Sequence, residues 1–397
     1  MPLATHNDRT TCMKEVTLLR ISTETYSLRI LLRNQLAYMG SKGINVCMAS
    51  SPDKHVKDLE LQEKAKFFPL PLTRQLTPVS DLIALYHTIR LIRKIKPQIV
   101  HTHSPKAGII GMLAASFCKV PLKIHTVAGL PLMEVKGPKR LLLNAVERVV
   151  YKCADWVLPN SNELKDFIVE NNLADNNDKL TVIGKGSSNG VDMNYFTVTN
   201  EIRLEANLFK AEHRITEQHT VLAFVGRLAF YKGINELVGA FERLQIQKGN
   251  LKLLLIGALE DLNPLDESTL QKMKANPDII AVGHQNDIRK FLAAANIFVF
   301  PSYREGFPQA LMQASAMGLP SIATNINGCN EIIDHNQTGI LIEPKSEEAI
   351  VEACLTLLEN PEHRILMGQQ ARVKIAQNYE QKKLWNTIFD FYQSNIN

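Results

Sequence analysis

A chain of 397 residues is too long for one ordinary core and suits two domains. Its 45 % hydrophobic and 21 % charged residues are those of a globular protein, and no run of about 18 consecutive apolar residues is present to span a bilayer. The net charge of +5 is unevenly shared: residues 1–200 hold 26 Lys+Arg against 17 Asp+Glu, the remainder 19 against 23. A basic first half predicts an anionic partner, such as lipid headgroups or a phosphorylated acceptor; a solvated surface is the plain alternative.

The opening, MPLATHNDRT, lacks the apolar core of a secretion signal, which predicts a cytoplasmic protein. Short apolar runs then alternate with helical patterns. In the first half the predicted strands are EVTLLRI (15–21), INVCMAS (44–50), PQIVHTH (97–103), LKIHTV (122–127), DWVLPN (155–160) and LTVIGKG (180–186). A helix is predicted over 29–43, closed by a glycine. The basic clusters RLIRKIK (90–96) and VKGPKR (135–140) are the expected anionic contacts. Neither is interleaved with aromatics, so nucleic acid is not the expected partner.

A polar, irregular stretch near 189–206 marks the expected domain boundary. A second series follows: TVLAFVG (220–226), LKLLLIG (251–257), DIIAVG (278–283), NIFVFPS (296–302), PSIATN (320–325) and GILIEP (339–344), with a helix over 234–249. Past Gly339 the pattern is mainly helical: 346–360, 362–377 and a terminal segment. Most strands are apolar on both sides, the mark of parallel sheets buried on both faces. The βαβα rhythm occurs twice, predicting two doubly wound α/β domains: 1–198, 199–375, and a segment 376–397 packing back on the first. The cysteines at 12, 47, 118, 153, 329 and 354 are too scattered for a zinc knuckle or redox pair and read as buried, reduced thiols.

Ligands of such sheets bind beyond the carboxyl ends of the strands, and three ends in the second half carry chemistry. In VGRLAFYKG, Gly226 closes a strand, and Arg227 and Lys232 follow in one loop. An arginine fork and a lysine point charge suit a diphosphate, and the helix after Gly233 adds free N–H groups. In FVFPSYREGFPQALMQ, Glu305 emerges after a strand, Gly306 allows close backbone approach, and Pro308 suits the first position of a helix. Glu305 and Gln313 can bind sugar or ribose hydroxyls; a helix-dipole role is the alternative for Glu305. In TNINGCNEIIDHNQTG, Asn327 and Gly328 form a tight turn, and Glu331 either faces a ligand or caps a helix.

These words, together with HTHSPKAGIIG (101–111) and HTVAGLP (125–131), resemble the retaining glycosyltransferases of family four, in the subgroup that builds capsules, O-antigens and other lipid-linked surface glycans of bacteria. The resemblance covers nearly the whole chain and is sharper in the second half. It implies the GT-B fold, two Rossmann-like domains facing a central cleft. It implies a hexose or N-acetylhexosamine moved with retention from a nucleotide sugar, UDP by default, to a glycan or polyprenyl-diphosphate-linked acceptor at the inner membrane face. Arg227 and Lys232 are then expected to hold the diphosphate, Glu305 to face the sugar, and Gly306 and Phe307 to bring backbone amides to it. Gly283, in VGHQND (282–287), is expected to flank the base. No cofactor or divalent metal is expected, and no Asp-x-Asp occurs in the sequence.

Two departures stand out. The acid expected on the nucleotide ribose is replaced by Gln313, which removes charge-assisted bonds and predicts donor binding weaker by about 1–2 kcal/mol. Ala128 stands where many relatives carry a histidine. Of the nearby His101, His103 and His125, His103 is the expected acceptor contact, against packing roles for all three. An epimerase or hydrolase of the same fold, or a non-catalytic nucleotide-sugar-binding protein, remain as alternatives.

Overall fold

The computed structural model describes residues 16–73, 77–133 and 135–396. Each half builds one six-stranded, wholly parallel sheet. The first contains β1 (Thr17–Glu24), β2 (Asn45–Ser51), β3 (Lys66–Pro69), β4 (Ile99–His103), β5 (Leu122–Val127) and β6 (Trp156–Pro159), in the order β3-β2-β1-β4-β5-β6. The second contains β7 (Thr220–Val225), β8 (Leu251–Ile256), β9 (Ile279–Ala281), β10 (Ile297–Phe300), β11 (Ser321–Thr324) and β12 (Gly339–Ile342), in the order β12-β11-β10-β7-β8-β9. The direction of winding reverses between β1 and β4, and between β7 and β10. Crevices for ligands open at such reversals, and here the two crevices face each other.

The strands form where the sequence is apolar on both sides. All six residues of β8, LKLLLI, are buried, and its one cation, Lys252, is neutralised by Asp278 at 2.5 Å. The second lobe has a single continuous core, whereas the first has one on each face of its sheet. The helix Asn200–Glu212 contributes Ile202, Ala206 and Phe209 to the second core. The chain leaves that core at Tyr379, and the helix Gln381–Asn395 packs Leu384, Trp385, Ile388 and Tyr392 onto the first sheet. Trp385 Nε1 donates to Asn189 Oδ1 at 2.7 Å, which anchors the crossing.

Some expectations need correction. The run at 180–186 is not a strand: only Leu180 bridges to Val157. Gly184 and Gly186 turn the chain with φ of 61° and 104°, and Ile183 is apolar because it lies in the core beneath the terminal helix. The short edge strand β3, with Pro69 at its end, was not anticipated; proline is tolerated at an edge because no ladder N–H is needed there. The helix expected over 29–43 is a wide turn at Ser27–Leu31 followed by a helix at Gln35–Ser41. Asn34 breaks it with φ 64°, and the Glu63 carboxylate accepts from the N–H groups of Asn34, Leu36 and Ala37. Among the described cysteines, Cys47, Cys329 and Cys354 are buried, but Cys118 and Cys153 are only half-buried; Cys12 lies outside the described residues.

Candidate active site

The strand ends of the two lobes enclose a cleft of about 850 Å³, a volume suited to a small-molecule substrate. One wall comes from the segments after β1, β4, β5 and β6, the other from those after β7, β10 and β11. The lobes meet backbone to backbone on its floor. A Cβ on Gly306 would lie 1.7 Å from the Ala128 carbonyl oxygen, and one on Gly328 would lie 2.4 Å from the Gly306 oxygen. Only glycine permits that approach, and Gly328 also needs its φ of 78°.

On the second-lobe wall, Arg227, Lys232 and Glu305 come together as lining residues. Lys232 Nζ is ion-paired with Glu305 Oε1, and both side chains are nearly buried, at 13 % exposure. The same ammonium lies 5.6 Å from the ring centres of Tyr231 and Phe300. Arg227 is more open, 57 % exposed, and donates to Glu260 Oε1 at 2.8 Å. The Tyr231 hydroxyl donates to the other oxygen of Glu260 at 3.1 Å. Tyr231 thus stands among three cations, with the Arg304 guanidinium 4.7 Å from its ring centre. Burial and the neighbouring Glu260 push its phenol up to about 12, although Arg227 pulls the other way, so it stays a hydrogen-bond donor.

Other expected site residues lie elsewhere. Gly226 and Gly283 follow β7 and β9 but do not line the cleft. Phe307 turns inward: it is 8 % exposed, its ring centre is 5.4 Å from that of Tyr379, and it presses on Gly186. It is a packing residue between the lobes, because an aromatic ring gains more from the dry seam than from a wet cleft. Pro308 is the cap before the helix Gln309–Ala316 rather than its first residue. Gln313, in that helix, is half-buried, lies outside the cleft lining, and its side chain has no hydrogen-bond partner among the described residues.

Glu331 is committed to the opposite lobe. Its carboxylate accepts from the backbone N–H and the side chain of Asn162, at 3.0 and 2.8 Å, and from the N–H of Glu163 at 3.1 Å. It thereby caps the helix Asn162–Glu170, whose first N–H groups have no partner within the helix. This corrects the ligand-facing reading. The capping alternative holds, but across the interface. Ser161, the N-cap of that helix, donates to Asn327 Oδ1 at 2.7 Å. Asn327 Nδ2 donates to the carbonyl oxygens of Glu305 and Gly306, at 3.1 and 2.8 Å. The turn residue Asn327 therefore ties the helix of one lobe to the glycine loop of the other, a role that its position in an Asn-Gly turn only half revealed. Glu260 gave no signal in the sequence at all.

On the first-lobe wall the three histidines differ. His101 uses both ring nitrogens, one with the Tyr392 hydroxyl at 2.6 Å and one with Thr126 Oγ1 at 2.7 Å. His125 Nδ1 meets Thr102 Oγ1 at 2.8 Å. His103 lines the cleft at 1 % exposure, and neither of its ring nitrogens has a hydrogen-bond partner among the described residues. Burial, then the charge of Arg20, holds His103 and His125 down to about 3, so both are neutral. Among the described residues, no three His, Cys, Asp or Glu side chains converge as a metal-binding group.

The chain is similar to known proteins over nearly its whole length. Residues 206–374 match the family described as "Glycosyl transferases group 1", and residues 15–161 match "Glycosyl transferase 4-like". The chain is 34 % identical to a capsular polysaccharide biosynthesis glycosyltransferase, CapM, of Staphylococcus aureus, over 92 % of this chain and 93 % of that one. It is 30 % identical, over 87 % of each chain, to a UDP-Gal:α-D-GlcNAc-diphosphoundecaprenol α-1,3-galactosyltransferase of Escherichia coli. The crystal structure of Anabaena HepE with UDP and glucose superposes with a TM-score of 0.78, covering 96 % of this chain and 100 % of that one at 15 % identity, a likeness of fold.

Proposed function

The chain belongs to the group 1 glycosyltransferases, family four, with the GT-B fold, and we propose that it moves a hexose or N-acetylhexosamine from a UDP-sugar to a lipid-diphosphate-linked acceptor with retention, in the assembly of a bacterial surface polysaccharide. The observation that carries this reading is the second-lobe wall. Two cations from one strand-end loop stand beside Glu305 in a cleft large enough for a nucleotide sugar. The acceptor class follows from the relatives, which are named for capsule and diphosphoundecaprenol substrates.

In this reading the bond between the sugar C1 and the diphosphate oxygen breaks, and a bond from C1 to the acceptor oxygen forms on the same face. The acceptor proton passes to an oxygen of the departing diphosphate, so no protein base is required. Arg227 and Lys232 stabilise the charge that collects on the leaving group, in place of a metal ion, within a crevice shielded from water. Each must exchange a carboxylate, Glu260 or Glu305, for phosphate oxygens. Released from Lys232, Glu305 meets the sugar and the positive charge developing on its ring. Arg227→Ala tests the assignment: transfer should fall sharply while the fold, read by circular dichroism, is kept. A near-normal rate would remove Arg227 from the diphosphate site.

Among the described residues no helix is long and apolar enough to cross a membrane, so a lipid-linked acceptor implies peripheral contact with the cytoplasmic face. The helix Pro78–Ile95 leaves Val79, Leu82, Ile83 and Tyr86 exposed on one stripe, followed by Arg90, Arg93 and Lys94. An apolar stripe with adjoining cations is suited to an anionic bilayer surface. Sedimentation with anionic and neutral vesicles should show preference for the anionic ones; equal binding would dismiss the electrostatic part.

A further inference from the structure

The first-lobe wall holds buried polar atoms without a hydrogen-bond partner among the described residues. Both ring nitrogens of His103 and Oε2 of Glu147 are buried without a partner among the described residues; the hydroxyl of Tyr151, one turn beyond Glu147 on the helix Pro138–Cys153, is buried beside that carboxyl. His103 and Glu147 line the cleft together at 1 % and 5 % exposure. Leaving such a group unmatched is unfavourable. The neighbouring His101 shows that the same cluster can satisfy its members fully. Of these groups, His103 and Glu147 reach the cavity, and Tyr151 does not line it.

We propose, resting on the transfer to a lipid-linked acceptor argued above, that His103 and Glu147 hold the acceptor's terminal sugar, and that Lys139, two turns earlier on the helix that carries Glu147, takes the diphosphate joining that sugar to its lipid. Glu147 was not apparent in the sequence. It sits amid RLLLNAVERVVYK, where it resembles any helix-surface acid.

The chemistry separates sugar from phosphate. A neutral imidazole presents one N–H and one lone pair. Burial pushes the Glu147 carboxyl up to about 7, against a weaker opposite pull from Tyr151, so near neutrality it serves as either donor or acceptor. Hydroxyl groups donate and accept at once and match such a pair. A phosphate offers only acceptors and negative charge, which a desolvated carboxyl rejects. The diphosphate must therefore lie away from Glu147. Lys139 is exposed and lines the same cleft. The eight residues between them correspond to roughly 12 Å along the helix, about one sugar ring and a diphosphate. Leu141 and Leu142 are exposed beside Lys139, where the lipid would leave for the bilayer. One helix thus fixes how deeply the acceptor enters.

Two soluble probes test this with the full chain: an N-acetylglucosamine 1-diphosphate bearing a short alkyl tail, and the same sugar as an alkyl glycoside. The donor is the nucleotide sugar giving the largest thermal shift. Glu147→Gln should raise KM for both probes about tenfold and leave the donor KM within about twofold. Lys139→Ala should raise KM for the diphosphate probe about fivefold more than for the glycoside. Should Glu147→Gln not fold, His103→Asn carries the same expectation for both probes. Unchanged acceptor KM, or donor and acceptor KM rising together, overturns the sugar assignment; equal effects of Lys139→Ala on both probes overturn the diphosphate assignment. A wild-type enzyme that hydrolyses a nucleotide sugar yet binds neither probe sinks this inference alone. One that binds no nucleotide sugar sinks the glycosyltransferase reading beneath it.

Discussion

The two walls of the cleft are built on opposite principles. The second-lobe wall is charged and internally paired: Lys232 with Glu305, Arg227 with Glu260. The first-lobe wall carries, deep in the cleft, His103 and Glu147, whose buried polar atoms have no partner among the described residues. The difference matches what the proposed function asks each wall to meet. A diphosphate is the same in every nucleotide sugar and carries strong charge, so cations in a short loop suffice, and paired carboxylates keep them in place. An acceptor sugar has no charge, and it is told apart by the placement of hydroxyls. Groups that recognise hydroxyls must stand ready in a desolvated wall, where leaving them without partners costs stability.

The largest effect that could break this contrast is on the charged side. Lys232→Ala removes a cation from the developing diphosphate charge and leaves Glu305 without its partner. The turnover rate should fall by about 10²–10³-fold, as for loss of one preorganised donor to a transition-state anion. Steady-state kinetics at saturating donor is the measurement. A loss confined to the donor KM would mean that Lys232 only binds, and that the two walls differ less than argued.

On the neutral side, the test is pH. The Glu147 carboxyl is raised from 4.5 to about 7 by burial, so the folded state prefers it protonated. The stability tied to the neutral form is complete below pH 4.5 and is lost as pH rises through about 7. At 1.36 kcal/mol per unit this amounts to about 3 kcal/mol at pH 8. His103 and His125, held down to about 3, run the other way: they cost stability as pH falls below 6.5. Comparing Glu147→Gln with wild type isolates the carboxyl. The variant should gain relative stability between pH 5 and pH 8 in denaturant titrations; parallel curves would show that Glu147 ionises freely.

How far the molecule could be read from its sequence follows the same division. Eleven of the twelve strands among the described residues coincide with apolar runs, since strands buried on both faces can hardly be written otherwise. Arg227, Lys232 and Glu305 were visible because charge next to glycine at a strand end is conspicuous. Glu147 and Glu331 were not legible in this way. One acts through burial and the other through the helix it caps, in a lobe 169 residues away in sequence. The run at 180–186 misled for a related reason: its apolar residues serve the terminal helix rather than the sheet. Long-range partners leave no periodicity behind.

Glu331 joins the two regions under comparison and gives an intermediate effect. Glu331→Ala removes three hydrogen bonds from the start of the helix Asn162–Glu170. Loss of a cap costs about 1–2 kcal/mol, read as a lower midpoint of thermal unfolding. Glu331→Gln should cost less, because one oxygen remains to accept. If neither variant moves the midpoint, the interface between the lobes does not depend on this clasp.

The smallest expected effect concerns Gln313, and it sharpens the contrast from inside the charged lobe. Its amide sits on the helix Gln309–Ala316, outside the cleft lining and without a side-chain partner among the described residues. If the nucleotide ribose reaches this helix, Gln313→Glu supplies the charge-assisted bonds that an amide cannot make. Donor affinity should then rise by about tenfold or less, from about 1 kcal/mol of extra hydrogen-bond strength. Turnover should hardly change, because the ribose is remote from the bond that breaks. Isothermal titration with the nucleoside diphosphate alone measures this without any acceptor. An unchanged dissociation constant would place the ribose elsewhere. The donor wall would then end at Arg227 and Lys232, with its grip confined to the diphosphate.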